Sequence, residues 1–188
     1  MDIRKPIPTN CGDWVTRFGE TWKTQVAQLR QKFGDQIQEV RMPPEGLTDV
    51  PIIYVKKDSL VPVLAFMKSE SGFEYGFLSD ITATDEEIEP RFEVVYNLFS
   101  QSRHWRIRLK IRVGENEDVP TAVSVWPGAN WAEREVWDMF GIKFKGHPDL
   151  RRILMDVRWQ GHPLRKDYPL RGYQLFPEPE EIDTQLLE

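Results

Sequence analysis

Side chains able to do acid–base or metal chemistry are few in this chain, and they gather after position 130. Glu133, Glu135 and Asp138 fall close together, and His147 and His162 follow, each between a glycine and a proline. On a helix Glu133 and Glu135 point to different sides, whereas Glu135 and Asp138 share a face. Nothing beside them supplies a third group, so a catalytic carboxylate pair is not indicated. The two histidines have no cysteine and no short-range carboxylate pattern around them, which makes a poor metal site. Structural hydrogen bonding suits them better. Cys11 is the only cysteine, which excludes an internal disulfide, a Cys-built iron–sulfur cluster and a Cys-rich zinc site. There is no Gly-x-Gly-x-x-Gly, P-loop or nucleophile elbow. The expectation is a chain with no catalytic residue, metal or cofactor of its own.

The composition is that of a globular protein: 188 residues, 40% hydrophobic, 29% charged, net charge −5. Such a length suits one domain with tails. The negative balance argues against nucleic acid as a partner. The longest uncharged apolar run, 60–67, is far short of the roughly 20 residues of a spanning helix. The N-terminal stretch has no signal-peptide or transit-peptide character, so a cytoplasmic location is expected, free or on a larger assembly.

Residues 1–20 read as a leader. Trp22, Val26, Leu29 and Phe33 keep helical spacing up to Gly34. Short strands are expected at 36–41 and 52–55, with a turn at Pro43-Pro44-Glu45-Gly46 between them. A second helix starts at Asp58 or Ser59 and runs to about Lys68, burying Leu60, Val63, Leu64 and Met67, with Pro62 tolerated in its first turn. The middle of the chain is β, with strands at 75–82, 92–98, 105–113 and 122–126. In 105–113, Trp105, Ile107, Leu109, Ile111 and Val113 alternate with His104, Arg106, Arg108, Lys110 and Arg112. Its basic face is either a solvated outer surface or a docking face for an acidic partner, because adjacent like charges repel unless something compensates them. The order of elements predicts an α+β fold: a two-layer domain over 21–142, with a mostly antiparallel or mixed sheet packed on two or three helices.

A third helix of about ten residues carries the acidic group. Asn130 with Glu133 resembles a capping box. Arg134 and Asp138 lie one turn apart and are expected to pair. Gly141 is a natural stop. Beyond it, residues 143–172 hold eight lysines and arginines against Asp149, Asp156 and Asp167, and Pro148, Pro163 and Pro169 discourage a helix. Such a segment buries little against itself. It reads as an extended basic arm that binds a partner, the alternative being a segment folded back on its own domain. Residues 173–188 are expected to be an acidic, mobile tail.

At these residues the sequence resembles a known family. Glu133-Arg134-Glu135, Asp138-Met-Phe-Gly141-Ile, Gly146-His147-Pro148, Leu150-Arg-Arg-Ile-Leu154 and Gly161-His-Pro-Leu-Arg-Lys-Asp-Tyr-Pro-Leu170 look like the signature of the C subunit of respiratory complex I, the proton-pumping NADH:quinone oxidoreductase. Milder similarity covers roughly residues 20–172. The resemblance implies a hydrophilic, non-catalytic subunit of the peripheral part of that enzyme, in its bacterial, unfused form. FMN and iron–sulfur clusters would sit in partner subunits and carry electrons from NADH to quinone, coupled to proton translocation. This chain would scaffold the quinone-site region, against the D subunit and near the iron–sulfur B and I subunits. It would lie on the cytoplasmic side of the inner membrane, peripheral and attached only through the complex. Glu133, Arg134, Glu135, Asp138, His147, Arg151, Arg152, His162, Arg165, Lys166 and Tyr168 would be docking residues. The alternatives are a homologous subunit of a membrane-bound hydrogenase-type oxidoreductase, or a non-redox adaptor.

Overall fold

A computed structural model describes residues 11–42 and 50–172, with side chains from position 19. The expected turn at 43–46, residues 1–10 of the leader and the acidic tail lie outside the described residues.

The strand with the strongest alternation, β5 (Trp105–Val113), lies at the centre of a five-stranded sheet. Ile107, Leu109, Ile111 and Val113 are buried on one face, and the four cations occupy the other. Around it are β1 (Ile37–Arg41), β2 (Ile52–Val55), β3 (Phe77–Asp85) and β4 (Phe92–Ser100), in the order β1-β2-β5-β4-β3. Within this sheet only β2 and β5 pair in parallel, so it is mixed, within the α+β expectation. The helices are α1 (Cys11–Phe33), α2 (Leu60–Ser69) and α3 (Ala129–Phe140). Leu29 of α1, the apolar stripe of α2, and Val136, Met139 and Phe140 of α3 join the inward side chains of the sheet in one buried cluster. Among the described residues no helix is long and apolar enough to cross a membrane.

Several local expectations fail for identifiable reasons. Helix α1 starts at Cys11, so its first ten residues come from the expected leader. The stretch 122–126 is not a strand. The Val125 and Trp126 amides turn back to the Ala122 carbonyl, and the neighbouring strand is the short β6 (Val119–Pro120), parallel to β7 (Phe144–Lys145). The Asn130–Glu133 capping box does not form: α3 is capped at Gly128 without a side-chain bond, and Glu133 turns into the core. Ser59 precedes α2, but its hydroxyl bonds Gln36 Oε1 at 2.7 Å rather than capping the helix.

The outer face of the sheet supplies much of its own compensation. Lys110 meets Glu93 at 2.7 Å, and Arg112 bridges Glu39 and Glu93 at 3.0 and 3.3 Å. The Arg112 guanidinium also lies 4.2 Å from the ring centre of buried Tyr54, where cation–π attraction adds to packing.

Candidate functional site

Asp138, Arg152, His162 and Arg165, among the residues singled out above, meet at the C-terminal end of α3. The helix stops at Gly141, whose left-handed φ of 80° lets its amide return to the Trp137 carbonyl at 2.8 Å. Such an end leaves its last carbonyls without helical partners. The arm supplies them. His162 Nδ1 donates to the Asp138 carbonyl at 3.0 Å, the Leu164 amide to Met139 at 3.0 Å, and Arg165 Nε to Phe140 at 2.6 Å.

Asp138 is fully buried, and its carboxylate is the main anchor of the arm. Oδ1 accepts from Arg152 Nη1, while Oδ2 accepts the amides of Ile153, Leu154 and Met155 at 3.1, 2.9 and 2.9 Å. Burial pushes its pKa up, but those three amides and Arg152 outweigh burial and hold it below the usual carboxylate value. The expected Arg134–Asp138 pair is therefore absent. Arg134, also buried, donates instead to the carbonyls of Arg151 and Arg152 at 3.1 and 2.9 Å. Its guanidinium lies 5.2 Å from the Trp131 ring centre.

A second anchor sits at the β3–β4 end of the sheet. Asp85 takes a two-pronged bond from Arg91 at 3.1 and 2.9 Å and accepts the Lys166 amide at 3.0 Å. The Arg91 guanidinium holds the Asp85 carboxyl down at about 2 against the opposing effect of burial. Arg91 also meets Asp167 at 2.9 Å, and Glu115 bridges Arg91 and Arg165 at 3.0 Å each. Asp85, Arg91 and Glu115 carry no local signal in the sequence, because Asp85 and Lys166 lie 81 positions apart in the chain.

Glu133 is fully buried and belongs to a different cluster. It accepts the Thr121 hydroxyl and the Ala122 amide, both at 2.6 Å, and among the described residues no cation pairs with it. Burial pushes its pKa from 4.5 up to about 7, against the lowering effect of those two donors. A raised value means that its contribution to stability is complete below about 4.5 and is lost as pH rises through about 7. Glu133→Gln should therefore flatten the pH dependence, removing up to about 3 kcal/mol of the fall in unfolding free energy between pH 5 and 8. Urea unfolding across that range checks this. An equal slope in both proteins would contradict it.

The remaining expected residues are dispersed. Glu135 is exposed. His147 accepts the Asp149 amide at Nδ1 (3.0 Å), which leaves Nε2–H to donate to the Asn130 carbonyl (3.1 Å). Arg151 is exposed and pairs with Asp149 at 2.9 Å. The Lys166 ammonium points outward, 3.9 Å from Glu87. Tyr168 stacks on Trp159 with ring centres 6.2 Å apart. Among the described residues no group of three His, Cys, Asp or Glu lies close enough to hold a metal ion.

Hydrogen bonds and ion pairs thus tie the segment to its own domain, yet none of residues 145–172 is buried. Among the charged and polar groups it leaves outside are several large apolar side chains. Leu154, Val157, Leu164 and Leu170 are 60%, 85%, 54% and 104% exposed, and Trp131 of α3 is 64% exposed. Beside Leu164 and Leu170 runs a groove of about 560 Å³, also lined by Met155, Trp159 and Tyr168. Leucines scattered singly over a surface are ordinary, whereas a contiguous apolar patch is the mark of an interaction surface.

The sequence profile of a family described as "Respiratory-chain NADH dehydrogenase, 30 Kd subunit" matches residues 53–174. A Rhizobium etli protein, named as a second C subunit of NADH-quinone oxidoreductase, is 44% identical over 149 residues, 79% of this chain and 78% of its own. A Proteus mirabilis protein, named as the C/D subunit of NADH-quinone oxidoreductase, is 40% identical over 176 residues, 86% of this chain but 29% of its own. Among solved structures, a chain of the membrane-bound sulfane sulfur reductase, an archaeal respiratory membrane complex, is similar with a TM-score of 0.61 and 25% identity, over 79% of this chain and 85% of that one.

Proposed function

The chain belongs to the 30 Kd subunit family of respiratory-chain NADH dehydrogenase, which is the family of the C subunit of NADH-quinone oxidoreductase, and from that premise we propose that its folded arm fastens the quinone-proximal part of the complex together. It is a non-catalytic subunit, so its contribution is structural. Electrons pass from NADH to FMN and through iron–sulfur clusters held by other subunits to quinone, coupled to proton translocation. The arm and Trp131 lie against the D subunit, close to the iron–sulfur B and I subunits. The complex holds the chain on the cytoplasmic side of the bacterial inner membrane, and its membrane association is indirect. The relative named for C and D together supports the D subunit as the neighbour, since one polypeptide there carries both names. The hydrogenase-type alternative is not favoured, because these relatives carry the NADH–quinone name.

The observation that carries this reading is the run of exposed apolar side chains on an arm whose backbone is already tied down. Ordering a segment on binding costs affinity, and an arm anchored in advance avoids much of that cost. The same geometry separates two neighbouring arginines. Arg151 faces outward, whereas Arg152 holds Asp138 and the Gly161 carbonyl (3.0 Å). Arg151→Ala should leave the thermal midpoint unchanged, within the ±0.5 kcal/mol usual for surface changes. It should also lower the salt concentration at which the tagged chain loses the D subunit on affinity purification from membranes. Arg152→Ala should lower the thermal midpoint as well. If Arg151→Ala retains its neighbours at the wild-type salt concentration, Arg151 is not a docking residue.

A further inference from the structure

The basic face of β5 is compensated along only half its length. Lys110 and Arg112 have Glu93 and Glu39. Arg106 and Arg108, nearer the start of the strand, have no carboxylate among the described residues. Arg108 Nε donates to Asn97 Oδ1 at 3.0 Å, and the Arg106 guanidinium rests over the Phe99 ring, 5.5 Å from its centre. Both line a groove of about 330 Å³ with Val50, Ser79, Asp80 and Asn97. Among the described residues Asp80 is the one acid lining the groove, and it pairs with neither arginine within 4 Å. A register shift in β3 between Leu78 and Asp80 accompanies this rim.

Arginines at alternate positions of one strand are rooted roughly 7 Å apart on the backbone, the spacing at which an extended polypeptide presents its own alternate side chains. Each is a planar fork suited to a carboxylate, and in a groove such a bond is less screened than on an open surface. We propose that this groove is a second docking surface, which takes an acidic stretch of a neighbouring polypeptide with carboxylates at alternate positions. A chain with carboxylates at alternate positions offers one acceptor to each fork at the strand's own spacing. The arm is anchored at Asp85 and Arg91, beside the end of the sheet where Phe92 pairs with Val113, roughly 20 Å along the strands from Arg106. It also packs on α3, whereas the groove opens on the face away from the helices.

The inference rests on the chain being an assembled subunit, but not on the arm being the other contact. The test places a photo-crosslinking amino acid at Ser79, on the groove rim, in the complete complex purified from membranes through a tag on this chain. The expected product is a crosslink to an Asp/Glu-rich segment of another subunit, reduced roughly tenfold in an Arg106→Glu, Arg108→Glu background. The neutral pair Arg106→Gln, Arg108→Gln guards against a folding defect and should weaken the same crosslink. A crosslink to residues 173–188, to lipid only or to nothing, or one indifferent to both double variants, overturns the proposal. Failure of the wild-type chain to bring down any respiratory subunit would instead overturn the assembled-subunit reading.

Discussion

Replacing Asp138 by alanine is expected to detach the arm from α3 and to destabilise the chain by about 3–5 kcal/mol, the range for breaking one side of a buried ion pair. Four donors lose their acceptor together: the Arg152 guanidinium and the amides of Ile153, Leu154 and Met155. Each buried donor left without a partner keeps its desolvation penalty. Asp138→Asn is the sharper control. It preserves size, yet places an NH2 group against donors on one side or the other, so it should recover only part of the loss. Urea unfolding gives the energies. Limited trypsin digestion gives the mechanism, because Arg158 lies in the freed segment and should be cut faster in both variants. Wild-type cleavage rates with a normal unfolding midpoint would show that Asp138 does not hold the arm.

Gly141→Ala should approach that effect through backbone geometry alone. The residue sits at φ 80°, which side chains disfavour. An added Cβ would lie 2.6 Å from His162 Cδ2, 2.7 Å from Nε2 and 3.0 Å from Arg165 Nη2. His162 and Arg165 are the side chains that close the end of α3, so they cannot move away without giving up the Asp138 and Phe140 carbonyls. A loss of about 2–4 kcal/mol follows from strain and displaced bonds together. It should be accompanied by faster hydrogen exchange at Leu164, whose amide bonds Met139. Native-state exchange rates at that amide decide between a displaced arm and simple helix fraying.

Features set by near neighbours in the chain are legible from sequence alone. The alternation of β5, the buried stripe of α2 and the stop at Gly141 depend on residues a few positions apart. Misreadings come where distant residues intervene. The stretch 122–126 looks like a strand because Val123 and Val125 alternate, but Glu133 captures the Ala122 amide and the backbone turns. Glu133 looks like a capping residue because its spacing from Asn130 is right, and no local pattern reveals Thr121 as its partner. The path of the arm is not legible either, since its prolines forbid a helix without saying where the chain goes instead. Its anchors on Asp85, Arg91, Asp138 and the end of α3 are single long-range bonds with no periodicity. The family motif marks these residues as important without saying that many of them hold the chain to itself.

The central claim is that the apolar side chains left outside by the anchored arm are the grip on neighbouring subunits. Serine at Leu154, Val157 and Leu170 tests it most directly, since all three are exposed and their replacement should leave the fold intact. The measurement is the amount of D subunit recovered with this tagged triple variant from native membranes, alongside its thermal midpoint. An unchanged midpoint is expected, with recovery reduced at least roughly tenfold, as when apolar anchors of an interface are removed. Full recovery at wild-type salt resistance would contradict it.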